Sequence, residues 1–482
     1  MMNAISRRCF GTIAAAGFLS LAGRRTVTAQ SIYDLPDLSS LLGRSVEAFQ
    51  TSLDGAYGFL NTMSDAYAAG NTVRLVQSYS DQLFAPFSPV AFTYDNAVAI
   101  QAYLARGRAD DVQRAAVLGN GLLHAQATNF PVSDGRFGQA YYVNVADSSG
   151  AFITPAAFPF YFYGSSVGDQ AWAGMALSQL YSRTGNAAFL TAALKVGNWI
   201  VANTYDTQGP GGYRFGAYID STNHSQPSGN GKSTEHNIDT YAFFGMLDRL
   251  THGGKAANGT SWSSLAKHAL LFVQAMFNTA GGFFYTGTKG DQITISTGII
   301  PEDVQTWSYL ALQSKAYGVS IDWVKTHLLT IDTPSSPFSA LKGLGNVRIE
   351  GETFDTASLA TAGNDPEAVW LEGTAHTVAA LLSRRLPAEN DIPFYNGDLE
   401  TARRLLQNIR FAQEKLGGGQ KVNGVPIPAG QGIVAATGQL DTGFGFDYFP
   451  DLHIGATGWY ALALLAANPF QLGYRSNKGW WS

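Results

Sequence analysis

A helical hairpin followed by a long crossing segment recurs along this chain. Apolar residues with helical periodicity fall at about 41–66, 95–106, 109–128, 169–184, 187–203, 235–251, 261–278, 302–317, 320–330, 366–385, 397–415 and 453–467. Short turns such as Arg106-Gly107-Arg108 and Thr184-Gly185-Asn186 alternate with long crossings rich in Gly and aromatics. Polar residues at the starts of alternate helices (Asp95, Asp169, Glu235, Asp303, Glu372 and His453) recur at intervals of 66 to 81 residues. One hairpin cannot bury its own apolar face, so such units must pack side by side. Six inner helices need six outer ones, and the helix at 41–66 supplies the last outer partner, beside the helix at 453–467. The expected fold is therefore all-α: an (α/α)6 toroid over residues 40–470 with short β-hairpins in its long crossings. An open solenoid or two helical domains are the competing architectures. Strand-like stretches are expected at 211–215, 281–285 and 443–446, and residues 471–482 read as an aromatic C-terminal tail.

In a ring of this kind the starts of the inner helices share one end, where their N-terminal dipoles and the long loops surround a cavity. Four carboxylates are the catalytic candidates: Glu235, Asp239, Asp303 and Glu372. Acids in a first helical turn are also favoured by capping alone, which accounts equally well for Asp95, Asp169, Glu302 and Asp303. Glu372 is set apart by its place. Asp365-Pro366-Glu367 reads as an N-cap, a first-position proline and a first-turn acid, which puts Glu372 about two turns inside its helix. Asp239 lies beyond the first turn if Ser233 or Thr234 is the cap, and shares a helix face with Glu235. Around these acids, Tyr94, Asp95, Asp169, Trp172, His236, Asn237, Trp307, Trp370, His376, His453 and Trp459 are the substrate-binding candidates. Carboxylates supply acid and base, amides bond hydroxyls, and flat rings stack on the apolar face of a pyranose. The tryptophans read equally well as core, and the histidines as ordinary hydrogen-bonded ones.

Composition narrows the partners. Charged residues are 14% of the chain and the net charge is -5, which argues against nucleic acid, since phosphate binding needs a basic face. The single cysteine, Cys9, leaves no thiolate chemistry for a processed chain. No zinc or EF-hand spacing appears, so neither metal nor cofactor is expected, with a loop-bound calcium ion left open.

Ser6-Arg7-Arg8-Cys9-Phe10 is a twin-arginine sequence. An apolar stretch too short to span a bilayer follows, and then a small-residue cleavage site at Val27-Thr28-Ala29. Residues 1–29 thus read as a signal peptide for the twin-arginine export machinery. The expected location is periplasmic or secreted, without stable membrane insertion after cleavage.

The repeat architecture and the placement of the acids resemble the six-hairpin glycosidases, the (α/α)6 toroids that cleave or rearrange glycosidic bonds. The resemblance covers nearly the whole mature chain and carries no family-specific signature. It implies a carbohydrate substrate, a site at the barrel end described above, and inverting hydrolysis. In that scheme Glu235 or Glu372 is the acid and Asp303 or Asp239 the base. A sugar epimerase using His236, His376 and His453 is the alternative on the same fold. A lyase would want basic residues, of which the rims offer Arg214 and Lys232. A non-catalytic glycan-binding envelope protein would keep the rings without needing the acids.

Overall fold

A computed structural model of the protein describes residues 38–68, 73–81, 89–129, 133–143, 150–153, 164–217, 228–229, 231–360, 364–385 and 397–474. The signal-peptide reading of residues 1–29 and the tail beyond residue 474 lie outside them.

Twelve α-helices occur among the described residues: α1 (Leu38–Asp65), α2 (Thr93–Arg106), α3 (Ala109–Thr128), α4 (Val167–Thr184), α5 (Ala187–Thr204), α6 (Thr234–Leu250), α7 (Trp262–Ala275), α8 (Glu302–Leu312), α9 (Val319–His327), α10 (Leu371–Arg385), α11 (Asp398–Lys415) and α12 (Ile454–Leu464). Local signals set their ends. Gly107 and Gly185 close α2 and α4 in the left-handed conformation. Ser166, Ser233 and Ser261 cap α4, α6 and α7 by accepting a backbone N–H.

The ring closes. Each even-numbered helix packs on the next, from α2 through α4, α6, α8 and α10 to α12, and α12 packs back on α2. The odd-numbered helices from α3 to α11 form the outer layer, each paired with the inner helix before it. The sixth outer place belongs to α1, where Ser52 meets the Tyr460 hydroxyl of α12 at 2.7 Å and Tyr57 bonds the Ala102 carbonyl of α2 at 2.5 Å. The architecture is the (α/α)6 toroid. Its bore is filled by Trp172, Trp307, Trp459 and Phe470; Trp307 and Trp459 stack at 5.8 Å, and Phe470 lies 5.5 Å from Trp307.

A polar clamp repeats at all six inner helices. The fourth residue of each (Asn96, Gln170, Asn237, Gln305, Thr374 and Thr457) reaches the backbone of the preceding crossing, at Val76, Phe137, Tyr213, Phe284, Glu352 and Ile433. The four amides take both the N–H and the C=O of their target. In Asn237 the oxygen accepts from Tyr213 N at 2.8 Å and the nitrogen donates to Tyr213 O at 3.0 Å. A buried backbone segment outside a sheet needs such partners, so each clamp satisfies a crossing and fixes the start of a helix together.

The structure departs from the sequence reading in two places. First, α10 begins at Leu371, not at 366. Asp365 heads a turn instead: its carboxylate accepts from Glu367 N at 3.2 Å and its N–H donates to Gln439 O at 2.8 Å. Trp370 is then engaged in a bridge to Ala436, so the helix cannot start before it. Second, the strands are displaced. Phe283–Phe284 pairs with Phe277–Asn278, but 211–215 contributes only a bridge at Tyr213, and 443–446 is the turn between the strands Leu440–Asp441 and Asp447–Tyr448. Some pairs are not local hairpins: Val90–Phe92 pairs with Ala140–Tyr142, and Lys232–Ser233 with Gly287–Thr288. The Gln471 carbonyl accepts from Gln179 at 2.7 Å, and the Tyr474 hydroxyl donates to Gln101 at 2.6 Å. No helix of the described residues is long and apolar enough to cross a membrane.

Candidate active site

The first turns of the inner helices bring carboxylates from five helices to one end of the ring: Asp95 from α2, Asp169 from α4, Glu235 from α6, Glu302 and Asp303 from α8, and Glu372 from α10. Helix N-termini favour negative charge, but crowding and burial oppose it. The balance falls differently at each residue.

Asp95, Glu302 and Glu372 belong to a chain of alternating carboxyl and imidazole groups across four helices. His376 Nδ1 lies 3.1 Å from Glu302 Oε2, and His376 Nε2 lies 3.7 Å from Glu372 Oε1. His453 Nδ1 lies 3.4 Å from Glu372 Oε2, and His453 Nε2 lies 3.1 Å from Asp95 Oδ1. Thr377 donates to Glu302 at 3.1 Å. The Tyr94 hydroxyl donates to Glu372 Oε1 at 2.5 Å and accepts from the Trp459 indole at 2.8 Å. Burial disfavours charge on Glu372, but the adjacent His376 and His453 charges and the Tyr94 hydroxyl outweigh it and hold its pKa below the ordinary value. Burial likewise opposes charge on His376, yet Glu302 and Glu372 lift its pKa to about 9. His453 is raised against burial by Asp95 and Glu372. Gly455 fits against this chain because it lacks a side chain: a Cβ there would stand 2.5 Å from Glu372 Oε2 and 2.9 Å from Asp95 Oδ1.

Glu235, Asp239, Asp303 and Asp169 behave in the opposite way. Burial, then the charges of Asp303, Asp169 and Glu372, push Glu235 well above its ordinary value. Asp303 is raised to about 7 by burial and the charge of Glu302, against the pull of His376. Asp169 is raised to about 7 by burial, against a 2.7 Å hydrogen bond from Ser166. Asp239 lies beneath Glu235, fully buried, and burial with the charges of Glu235, Asp303 and Asp169 drives it well up. Glu235, Asp169 and Tyr94 remain half-buried at the mouth.

All fifteen candidate residues thus fall at or just beneath this end of the ring, but in different surroundings. Trp172, Trp307 and Trp459 are core rings under the floor. Trp370 is buried too, stacked on Tyr448 at 5.9 Å. Asn237 is the α6 clamp, with its amide committed to Tyr213 and Ser233. His236 bonds the Phe215 carbonyl at 3.2 Å, and burial lowers its pKa to about 4, which keeps it neutral. Glu372 lies in the first turn of α10, so its two-turn offset from a cap does not hold; its hydrogen bonds, not its position, single it out. The sequence marks Glu302 only as a first-turn acid, because its partner His376 lies 74 residues away and leaves no local signal. Tyr448, in a short strand after a glycine-rich turn, carries no signal of its own in the sequence. It is raised well above its ordinary value by burial, then by Glu372, Asp95, Asp303 and Glu235, which places it over the same cluster.

Solved structures with the same ring were found by comparison. A family 76 glycoside hydrolase from a bovine Bacteroides thetaiotaomicron strain aligns with TM-score 0.51 and 13% identity, covering 86% of this chain and 77% of that one. The GH76 α-mannanase of Bacteroides thetaiotaomicron aligns with TM-score 0.51 and 13% identity over 89% and 98%. The cellobiose 2-epimerase of Spirochaeta thermophila aligns with TM-score 0.57 and 12% identity over 90% and 98%. What they share with this chain is the fold. No family model matches the sequence, and comparison with curated proteins finds no match.

Proposed function

We propose that this chain is an exported carbohydrate-active enzyme that hydrolyses a glycosidic bond with inversion, Glu235 acting as general acid and Asp303 as general base. The observation that carries the reading is the ordering of the two groups. Asp303 titrates near 7, and its charge helps to hold Glu235 in the protonated form. Near neutral pH the pair therefore holds one carboxylic acid and one carboxylate, the two species that glycosidic cleavage requires. They stand on adjacent inner helices, α6 and α8, and the inverting outcome, which calls for carboxyls about 6.5–9.5 Å apart, is read from the anomeric configuration of the product. Glu372 is the fixed anion of the pocket. Held ionised by His376, His453 and Tyr94, it faces the positive charge that develops on the sugar ring. Asp239, sealed below Glu235 and favouring its neutral form, takes no part in the chemistry.

A second reading rests on His376 and His453, which flank Glu372 as imidazoles do in a proton-transfer site. Epimerisation on this fold is the activity named for the Spirochaeta thermophila neighbour. The raised pKa of His376 favours a permanent cation over a shuttle. A lyase reading has little support, because Lys232 is bound to Asp206 at 2.8 Å and Arg214 to the Asn203 carbonyl at 2.8 Å.

The test is digestion of a glycan panel that includes α-mannan and cellobiose, with mass analysis and product anomers followed by NMR. New reducing ends of inverted configuration support the proposal. Unchanged chain length with an altered sugar supports the epimerase. Absence of turnover and binding removes both. Export is checked separately, by the location of the full chain when Arg7 and Arg8 are changed to Lys.

A further inference from the structure

Sequence reading gave the sugar-stacking role to tryptophans that the ring buries. The accessible aromatics near the site lie elsewhere. The turn between the strands Leu440–Asp441 and Asp447–Tyr448 carries Phe444 and Phe446, and Phe354 follows the strand Ile349–Glu352. Tyr448 is the inner end, with its ring 6.3 Å from that of His453. Phe446 lies 5.6 Å from Tyr448. Phe354 joins the rest, 5.8 Å from Tyr448, 6.3 Å from Phe446 and 6.2 Å from Phe444. Tyr448 and Phe446 are half-buried and Phe444 is 49% exposed, while Phe354, 8% exposed, is the buried ring that backs them.

The turn is built to hold Phe444 outward. Gly443 and Gly445 on either side of it adopt φ of 69° and 89°. Asp441 accepts from Gly443 N at 2.7 Å, and Thr442 donates to Phe446 O at 2.7 Å. Ser358 donates to the Asp441 carbonyl at 2.7 Å. A half-exposed phenyl on a braced turn, continuous with rings that lead to an acid cluster, is a contact surface for a ligand that also reaches that cluster. The strip is polar at its edge: Asp447 there accepts from Gln439 at 2.7 Å and Asn364 at 3.2 Å. Flat apolar faces edged by hydroxyl-bonding groups match a chain of pyranose rings.

Resting on the carbohydrate reading above, we infer that Tyr448, Phe446 and Phe444, backed by Phe354, form a run of sugar-binding subsites leading away from the acid cluster, so that the substrate is an oligosaccharide or polysaccharide extending beyond the bond cleaved.

The experiment measures kcat/KM for the glycan turned over in the panel, from disaccharide to hexasaccharide, in the wild type, Phe444→Ala and Leu271→Ala. Leu271 is an exposed residue on α7 and serves as the control. In the wild type kcat/KM rises with chain length. In Phe444→Ala the hexasaccharide-to-disaccharide ratio drops at least fivefold, and in Leu271→Ala it stays at the wild-type value. The same ladder titrated against tryptophan fluorescence gives the affinities. A wild-type ratio that does not rise with length, or a Phe444→Ala ratio equal to the wild type, overturns the subsite inference and leaves the enzyme reading intact. A wild type that neither turns over nor binds any member of the panel overturns the enzyme reading itself, and the subsites with it.

Discussion

Tyr94, on α2, donates a 2.5 Å hydrogen bond to Glu372, on α10, and the indole of Trp459, on α12, donates in turn to Tyr94 at 2.8 Å. Three helices far apart in the chain thus set the charge of one carboxylate. The link forms only because the ring closes, so the charge state of Glu372 reports on closure.

Glu235→Gln and Glu372→Gln each lower kcat by about 10²–10⁴-fold, the range expected for loss of a proton donor or a fixed charge at the reacting centre. Far-UV circular dichroism stays that of the wild type. Near-normal turnover in both variants removes the assignment.

Activity falls on the acid side as pH drops through about 7, because Asp303 titrates there and must be ionised to serve as base. The alkaline limb belongs to Glu235, which must stay protonated; the two limbs are properties of the coupled groups. In Asp303→Asn the acid limb disappears along with most of the rate. An unchanged acid limb in that variant assigns the base elsewhere.

Stability falls as pH rises from about 6.5 to 9. His376 has a folded pKa of about 9 against 6.5 for the free group, so its contribution is whole below 6.5 and lost as pH passes through 9. The loss is of the order of a few kcal/mol. Denaturant midpoints across this window show it, and His376→Gln flattens the dependence while lowering stability at pH 6. A variant as pH-sensitive as the wild type ends this account.

Gly455→Ala disturbs the site more than the fold. A Cβ at 2.5 Å from Glu372 Oε2 must push that carboxylate or α12 aside. Overpacking of this kind costs about 1–3 kcal/mol, while kcat drops tenfold or more. Kinetics and thermal melting on the same sample separate the two effects, and a variant with full kcat shows that Glu372 moves without consequence.

Asn237→Ala leaves Tyr213 N–H and C=O without their clamp. Each buried polar group so stranded costs about 1–3 kcal/mol. Urea unfolding detects the loss, whereas KM changes little. A raised KM at unchanged stability would restore Asn237 as a substrate contact.

The twelve helices were legible because their stops are local: Gly107 and Gly185 end helices by adopting a backbone conformation that other residues resist. The failure at Asp365 has the same root. Its carboxylate caps a turn as it would cap a helix, and only the bridge from Trp370 to Ala436, a partner far along the chain, shows that the helix starts later. The acids were found because repetition put them in register. Their protonation states were not, because His376 meets Glu302 across 74 residues and burial acts through the whole ring. The amides at Asn96, Gln170, Asn237 and Gln305 carried a signal that was overlooked, since each comes three residues after a helix start. Of the four, the sequence marks only Asn237, and marks it as a sugar contact rather than a clamp.

The clamps also separate two kinds of change. Each inner helix is moored through its fourth residue to one point of the preceding crossing, so chain inserted beyond that point lengthens the rim without shifting the carboxylates. Loops beyond the clamps are thereby free to change length while the first-turn carboxylates stay put, and grafting the 440–448 turn into another ring of this kind is a design route that follows from it.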